Sequence, residues 1–221
     1  MGLGGARPKA SVQLKEGALA IAKFPHSNDQ WDVMAWEATV LDLLQAAGMK
    51  TPQRVLTQVG ERNVLVLRRF DRTDHKHRVG YISAMTALGA SDGDHRDDAD
   101  IAGAIRDLSR SPKMDHHELF DRVVASVARG NTDDHLRNHG FLADRGSWTL
   151  CPAFDVNPTP DPWRARATSI MGAEAMPDEV EALLVLADEC SLSREQACSR
   201  IQRMASVFAD WRVAARRNQI R

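Results

Sequence analysis

Of the nine residues from Asn131 to His139 only Leu136 is apolar, and the block follows closely on a stripe formed by Leu119, Phe120, Val123, Val124 and Val127. That stripe recurs at helical spacing, so residues 117–129 are predicted to form a helix with one buried face. Gly130 ends it. A rigid element therefore delivers a dense set of Asp, Asn, His and Arg side chains to a loop, a frequent placement for catalytic residues. A solvated polar turn is the competing reading, and composition alone favours it.

The spacing inside the block argues otherwise. Asp133 and Asn138 stand as D-x-x-x-x-N. Protein kinases use this spacing in the catalytic loop, where the Asp accepts the substrate hydroxyl proton and the Asn holds magnesium. Downstream, Leu150-Cys151-Pro152-Ala153-Phe154 runs into Asp155. A carboxylate at the end of a buried segment is costly unless something binds it, and a magnesium ion on ATP phosphates would do so. The alternative is that Asp155 caps a turn before Asn157-Pro158. Upstream, Lys23 lies near the end of the apolar run Ala18–Phe24. Such a lysine is an edge or snorkelling residue, or a neutraliser of nucleotide phosphates paired with Glu37 on the next predicted helix. Gly4-Gly5, followed by Arg7 and Lys9, lets the backbone approach a phosphate, although it matches neither a Walker A loop nor G-x-G-x-x-G.

Around these residues the chain reads as mixed α+β. Two short strands fit between Ser11 and Phe24, a helix spans 31–47, and Arg54–Val59 with Asn63–Leu67 reads as a hairpin across Gly60-Glu61-Arg62. This unit ends near Phe70. Beyond it, helices are predicted over 83–89, 98–109 and Asp178–Cys190, with short strands near Phe141 and Thr149–Leu150. Ser193 and Gln196 open a last helix through a capping box, and Ala197, Ile201, Met204, Phe208 and Trp211 make its core-facing stripe. Arg212, Arg216, Arg217 and Arg221 then read as a solvated helix end, with a partner-binding or phosphate-binding surface as the less favoured alternative. Lys plus Arg total 29 against 30 Asp plus Glu, so a strongly basic nucleic-acid clamp is not indicated. The three cysteines make no disulfide framework and point to a reducing cytoplasm. No apolar run approaches the roughly 20 residues of a membrane helix.

Taken together the segments resemble the HipA family of toxin serine/threonine kinases. The matching stretches are Leu3–Ala10, Ala22-Lys23-Phe24-Pro25, Arg69-Phe70-Asp71-Arg72, Ala87-Leu88-Gly89-Ala90, Gly130–Phe141 and Pro152–Pro158. The resemblance implies an α+β, bilobal protein-kinase-like fold. Residues 1–70 would be the small ATP-binding lobe and 71–221 the mainly helical catalytic lobe. It implies ATP and Mg2+ as cofactors, with Lys23 at the phosphates, Gly4 and Gly5 in the loop over them, and His135 beside them. Arg69, Phe70 and Asp71 would belong to the hinge, with backbone near Phe70 on adenine and Asp71 near the ribose. Asp133 would be the catalytic base, and Asn138 and Asp155 the magnesium ligands. It further implies a type II toxin–antitoxin system, a helix-turn-helix antitoxin, DNA contacted only through that antitoxin, and an aminoacyl-tRNA synthetase as protein substrate. Two departures stand out. The subdomain that normally precedes the glycine loop is missing, so the chain is expected to be a short form, a piece of a split system or a fragment. Gly2 replaces the serine that the family often autophosphorylates before Leu3, so that switch is not expected to operate; Ser11, the nearest hydroxyl, has no assigned role.

Two other readings compete. One is a non-catalytic module that binds ATP or an antitoxin; the joint presence of Lys23, Asp133, Asn138 and Asp155 argues against it. The other is a metal-dependent hydrolase using His135 and His139 with Asp133 and Asp134, for which no second ligand set has suitable spacing. The remaining histidines, His116 and His117 among them, read as surface residues.

Overall fold

The structure, a computed structural model, describes residues 7–158 and 164–220. Gly4 and Gly5 of the expected glycine loop lie outside the described residues.

The run ending in Lys23 becomes a strand because it finds partners on both sides. Strands β1 (Lys9–Gln13) and β2 (Leu19–Lys23) pair antiparallel with Lys9 opposite Lys23. Helix α1 (Val33–Ala46) starts at Asp32, whose side chain accepts from the Ala35 amide at 2.9 Å. The hairpin follows as β3 (Arg54–Val59) and β4 (Arg62–Arg68), and the sheet order is β1-β2-β4-β3. Leu65 and Leu67 of β4 meet Met34, Leu41 and Leu44 of α1 in the core.

The second half is built from a short sheet and a helical stack. Strand β5 (Tyr81–Ser83) leads into the single turn α2 (Ala84–Ala87), then α3 (Asp98–Leu108) and α4 (Pro112–Ala128). Strands β6 (Gly140–Asp144) and β7 (Ser147–Leu150) form a hairpin, with β6 pairing β5 on its other edge. Helices α5 (Asp178–Glu189), α6 (Arg194–Ala209) and α7 (Trp211–Arg217) complete the order. One cluster of buried apolar side chains runs from Met34 and Leu41 through Ile101, Leu119 and Phe120 to Leu186 and Met204. Helix α4, the element that holds the polar block, thus stands in the middle of the core.

Three sequence expectations change. The helix predicted over 83–89 forms but is shorter, Ala84–Ala87, because Ser83 pairs with Gly140 as the last residue of β5 while its side chain caps α2; pairing across the chain sets where the helix starts. His116 is buried, with Nε2 2.8 Å from the Ala102 carbonyl of α3, and His117 is half-buried and accepts from Arg200 at 3.0 Å. Both face neighbouring helices, so neither is a surface residue. The C-terminal stripe also breaks: Ala197 and Met204 are fully buried, but the helix ends at Asp210 and Trp211 is 37% exposed. Its ring packs 5.8 Å from Trp36 instead.

Gly140 matters for space. A Cβ at this position would sit 2.5 Å from the Tyr81 hydroxyl, closer than any ordinary contact. Gly140→Ala is expected to displace the Tyr81 ring and to lower stability by about 1–3 kcal/mol, read from the denaturant midpoint with an altered tyrosine signal.

Candidate active site

Lys23 is buried on β2, and its ammonium lies 2.5 Å from Glu37 Oε1 of α1 and 3.0 Å from Asp155 Oδ1. Burial works against the ammonium, but the two carboxylates outweigh it and raise its pKa. Burial likewise works against the Asp155 carboxylate, and Lys23 more than compensates, holding it below the ordinary value. Asp155 follows the buried Leu150–Phe154 segment and has φ of +57°, an uncommon backbone state that Asp tolerates better than most residues. Its side chain remains 39% exposed.

The polar block forms a loop pinned at several points. The Asn131 amide bonds to the Ser126 carbonyl at 2.9 Å, the Ala167 amide to the Thr132 carbonyl at 2.9 Å, and the Asn138 amide to the His135 carbonyl at 2.8 Å. Asn138 Nδ2 donates to the Asp133 carbonyl at 3.2 Å, which leaves the amide oxygen as the group able to meet a cation. Asp133 itself is exposed, and Arg164 Nη2 lies 3.2 Å from its Oδ1. Behind the loop, Arg166 is buried and donates to Ser126 Oγ at 2.9 Å and to Glu179 of α5 at 3.1 Å. Ser126 in turn donates to the Asn131 carbonyl at 3.0 Å.

Two adjoining cavities share Lys9, Lys23, His135, Asn138 and Asp155 in their walls. The first, about 450 Å³, has an apolar end of Ile21, Leu67, Phe70, Tyr81 and Phe154. Phe70 lies 5.7 Å from Phe154 and 6.5 Å from Tyr81, ring centre to ring centre. The second, about 350 Å³, adds Arg7, Trp31, Asn131, Asp133 and Arg164. A flat apolar group fits the first end, a polyanion the shared middle, and a polar acceptor the far end.

Lys23, Phe70, His135, Asn138 and Asp155 therefore line one cleft, with Asp133 in the adjoining part and Arg69 at the rim of the apolar end. Asp71 does not line it. Asp71 is buried and bound by Arg69 at 2.6 Å and Arg72 at 2.9 Å, so its visible role is to orient those guanidinium groups. Asn131, Arg164, Tyr81 and Trp31 also line the cleft but were not singled out by sequence spacing. Asn131 at least stands inside the polar block; the others carry no local signal. Among the described residues no group of three or more His, Cys, Asp or Glu side chains could hold a metal ion, and His139 is engaged with Asp134 at 3.1 Å. The oxygen pair of Asn138 and Asp155 suits Mg2+, a hard cation that takes few protein ligands and completes its shell with phosphate and water.

Residues 1–211 match the family described as the HipA-like C-terminal domain. The chain belongs to this family. A HipA of Shewanella oneidensis, solved with HipB and its operator DNA, superposes with a TM-score of 0.78 at 18% identity, covering 97% of this chain and 59% of that one. The Helicobacter pylori proinflammatory kinase CtkA gives 0.61 at 16% identity, covering 95% and 94%. At such identities these likenesses establish the HipA-like, kinase-like fold. A Haemophilus influenzae protein named "Putative kinase" is 27% identical over 143 residues, which is 57% of this chain and 42% of that protein. The chain thus spans less than half of that curated relative. No described helix is long and apolar enough to cross a membrane.

Asp98, the first residue of α3, lies under the loop and is buried, with Oδ2 unpartnered among the described residues. Burial first, and the nearby Asp134 second, push its carboxyl well above the ordinary value. The folded state then binds a proton more tightly than the unfolded state, so the stability linked to Asp98 is full below the unfolded pKa near ~4 and is lost as pH rises through the folded value. Asp98→Asn should remove this dependence. Melting temperatures of the two proteins are expected to diverge in the variant's favour between acid and alkaline buffer.

Proposed function

We propose that the chain is the catalytic core of a HipA-type serine/threonine protein kinase, transferring the γ-phosphoryl group of Mg2+-ATP to a protein hydroxyl. The observation that carries the reading is the convergence of Lys23, Glu37, Asn138 and Asp155 on one cleft, with Asp133 beside them. Lys23, fixed by Glu37, would neutralise phosphate oxygens. The apolar end at Phe70 would take the adenine. Asn138 Oδ1 and the Asp155 carboxylate would hold Mg2+, which neutralises charge developing on the transferred group. Asp133 would accept the hydroxyl proton; Arg164 must first yield this carboxylate, and both side chains are about half exposed, so the ion pair is weak and easily exchanged.

The family and the Shewanella complex with HipB and operator DNA support a toxin–antitoxin role, with a helix-turn-helix antitoxin as partner and DNA reached through it. An aminoacyl-tRNA synthetase as the phosphorylated protein rests on the family resemblance. Arg164 across Asp133 favours a second reading, a nucleotide-binding regulatory module without turnover.

Transfer of labelled γ-phosphate separates the two. With Mg2+ present, the chain is expected to phosphorylate a protein hydroxyl, and Asp133→Asn to lower the rate ~10²–10⁴-fold. An Asp133→Asn protein as fast as wild type would remove Asp133 from the chemistry, and ATP binding with no transfer by the wild type would establish the regulatory reading.

A further inference from the structure

Between the end of β7 at Leu150 and Asp155 the chain has no regular secondary structure. It must nevertheless deliver one carboxylate to a defined place beside Lys23. The Cys151 amide still donates to the Gly140 carbonyl of β6 at 2.9 Å, continuing the hairpin ladder. Past it, two backbone hydrogen bonds to other parts of the chain hold the segment among the described residues. Arg122 Nη2 donates to the Cys151 carbonyl at 2.6 Å, and the Ala153 amide donates to the Lys50 carbonyl at 2.8 Å.

Both anchors lead back to one carboxylate. Glu118 Oε1, on α4, accepts from Arg122 Nη2 at 2.8 Å and Nε at 3.2 Å, and from the Lys50 amide at 3.1 Å. Glu118 and Arg122 stand at i and i+4, so they share a face of the helix. Asp115, at i−3 on that face, accepts from the Leu150 amide at 2.9 Å. One side of α4 therefore grips the end of β7 and the segment beyond it.

The grip is made of charges shielded from water. Arg122 is 4% exposed and the Glu118 side chain 10%. Such a pair adds little net stability, because desolvation offsets the attraction. What it supplies is direction. A guanidinium held through Nε and Nη2 has a fixed plane, and it presents Nη2 to the Cys151 carbonyl along a fixed line. Only Pro152, Ala153 and Phe154 lie between Cys151 and Asp155. The ring of Pro152 locks its φ, so a shift of the Cys151 peptide is passed on toward Asp155.

We propose that Arg122, clamped by Glu118, is a positioning residue for Asp155: its hold on the Cys151 carbonyl sets where the Asp155 carboxylate stands in the cleft. Arg122 lines neither of the two cleft cavities, so it acts through the backbone alone. The proposal rests on the reading of Asp155 as a Mg2+ ligand. Residues that orient a metal ligand from behind are worth ~10–100-fold in metal affinity.

Two variants test it. Glu118→Gln combined with Arg122→Met leaves no unpaired buried charge and keeps an acceptor for the Lys50 amide, so it removes the grip and keeps the fold. Arg122→Lys keeps the ion pair, but its ammonium falls one bond short of the Nη2 position. In crystals of each, residues 152–155 are expected to be displaced relative to α4 and the Lys23–Asp155 contact opened. By calorimetry, Mg2+-ATP affinity is expected to fall ~10–100-fold. Adenosine carries no phosphate and needs no Mg2+; followed by saturation-transfer NMR, it should bind as it does to wild type. An unmoved segment with unchanged Mg2+-ATP affinity overturns the proposal and leaves the nucleotide site standing. Equal weakening of adenosine and Mg2+-ATP also overturns it, because Arg122 then only stabilises the fold. A wild-type chain that binds no Mg2+-ATP contradicts the functional reading itself, and the metal role of Asp155 with it.

Discussion

A single buried ammonium ties the parts of this molecule together. Lys23 comes from the sheet, Glu37 from the helix packed on it, and Asp155 from the segment that follows the β6–β7 hairpin, far along the chain. Burying such charges gains little net stability, because desolvation cancels most of the attraction. What the arrangement provides is registration. Removing either carboxylate leaves an under-compensated buried charge, so the three elements are held in one relative position. That position brings the apolar end at Phe70, the shared phosphate-sized middle and the Asp133 end into one continuous cleft.

A second buried network performs the same service for the loop. Arg166 joins α5 through Glu179 to α4 through Ser126, and Ser126 holds the Asn131 carbonyl. The block from Asn131 to His139 is therefore not a solvated turn. The side chains of Asp133 and Asn138 emerge from a backbone fixed at both ends. Such support from beneath is what positions reactive groups to within fractions of an ångström.

Much of this was legible in the sequence where a feature is local. The Asn131–His139 block, the D-x-x-x-x-N spacing, the apolar run into Asp155 and the lysine at the end of a strand each carry their own signal, and the structure gathers them into one cleft. The features that escaped are made by tertiary contact. Tyr81 and Ser83 become a strand only because β6 lies beside them. His116 is buried because α3 offers it a carbonyl. Arg164 and Arg166 sit in a stretch without periodicity, and their partners are 31 and 13 to 40 residues away. Asp71 was legible as part of a motif but not as the buried anchor of two arginines, since nothing in Arg69-Phe70-Asp71-Arg72 states which side chain turns inward.

The central claim is that these residues form a magnesium-dependent nucleotide site within this chain. Calorimetric titration of ATP into the folded protein, with and without Mg2+, and into Lys23→Met beside it, tests that claim most directly. The account predicts saturable binding that requires Mg2+ and weakens at least ~10-fold in the variant, equivalent to about 1.4 kcal/mol. Binding indifferent to both Mg2+ and Lys23, or no binding by the folded chain, would contradict it.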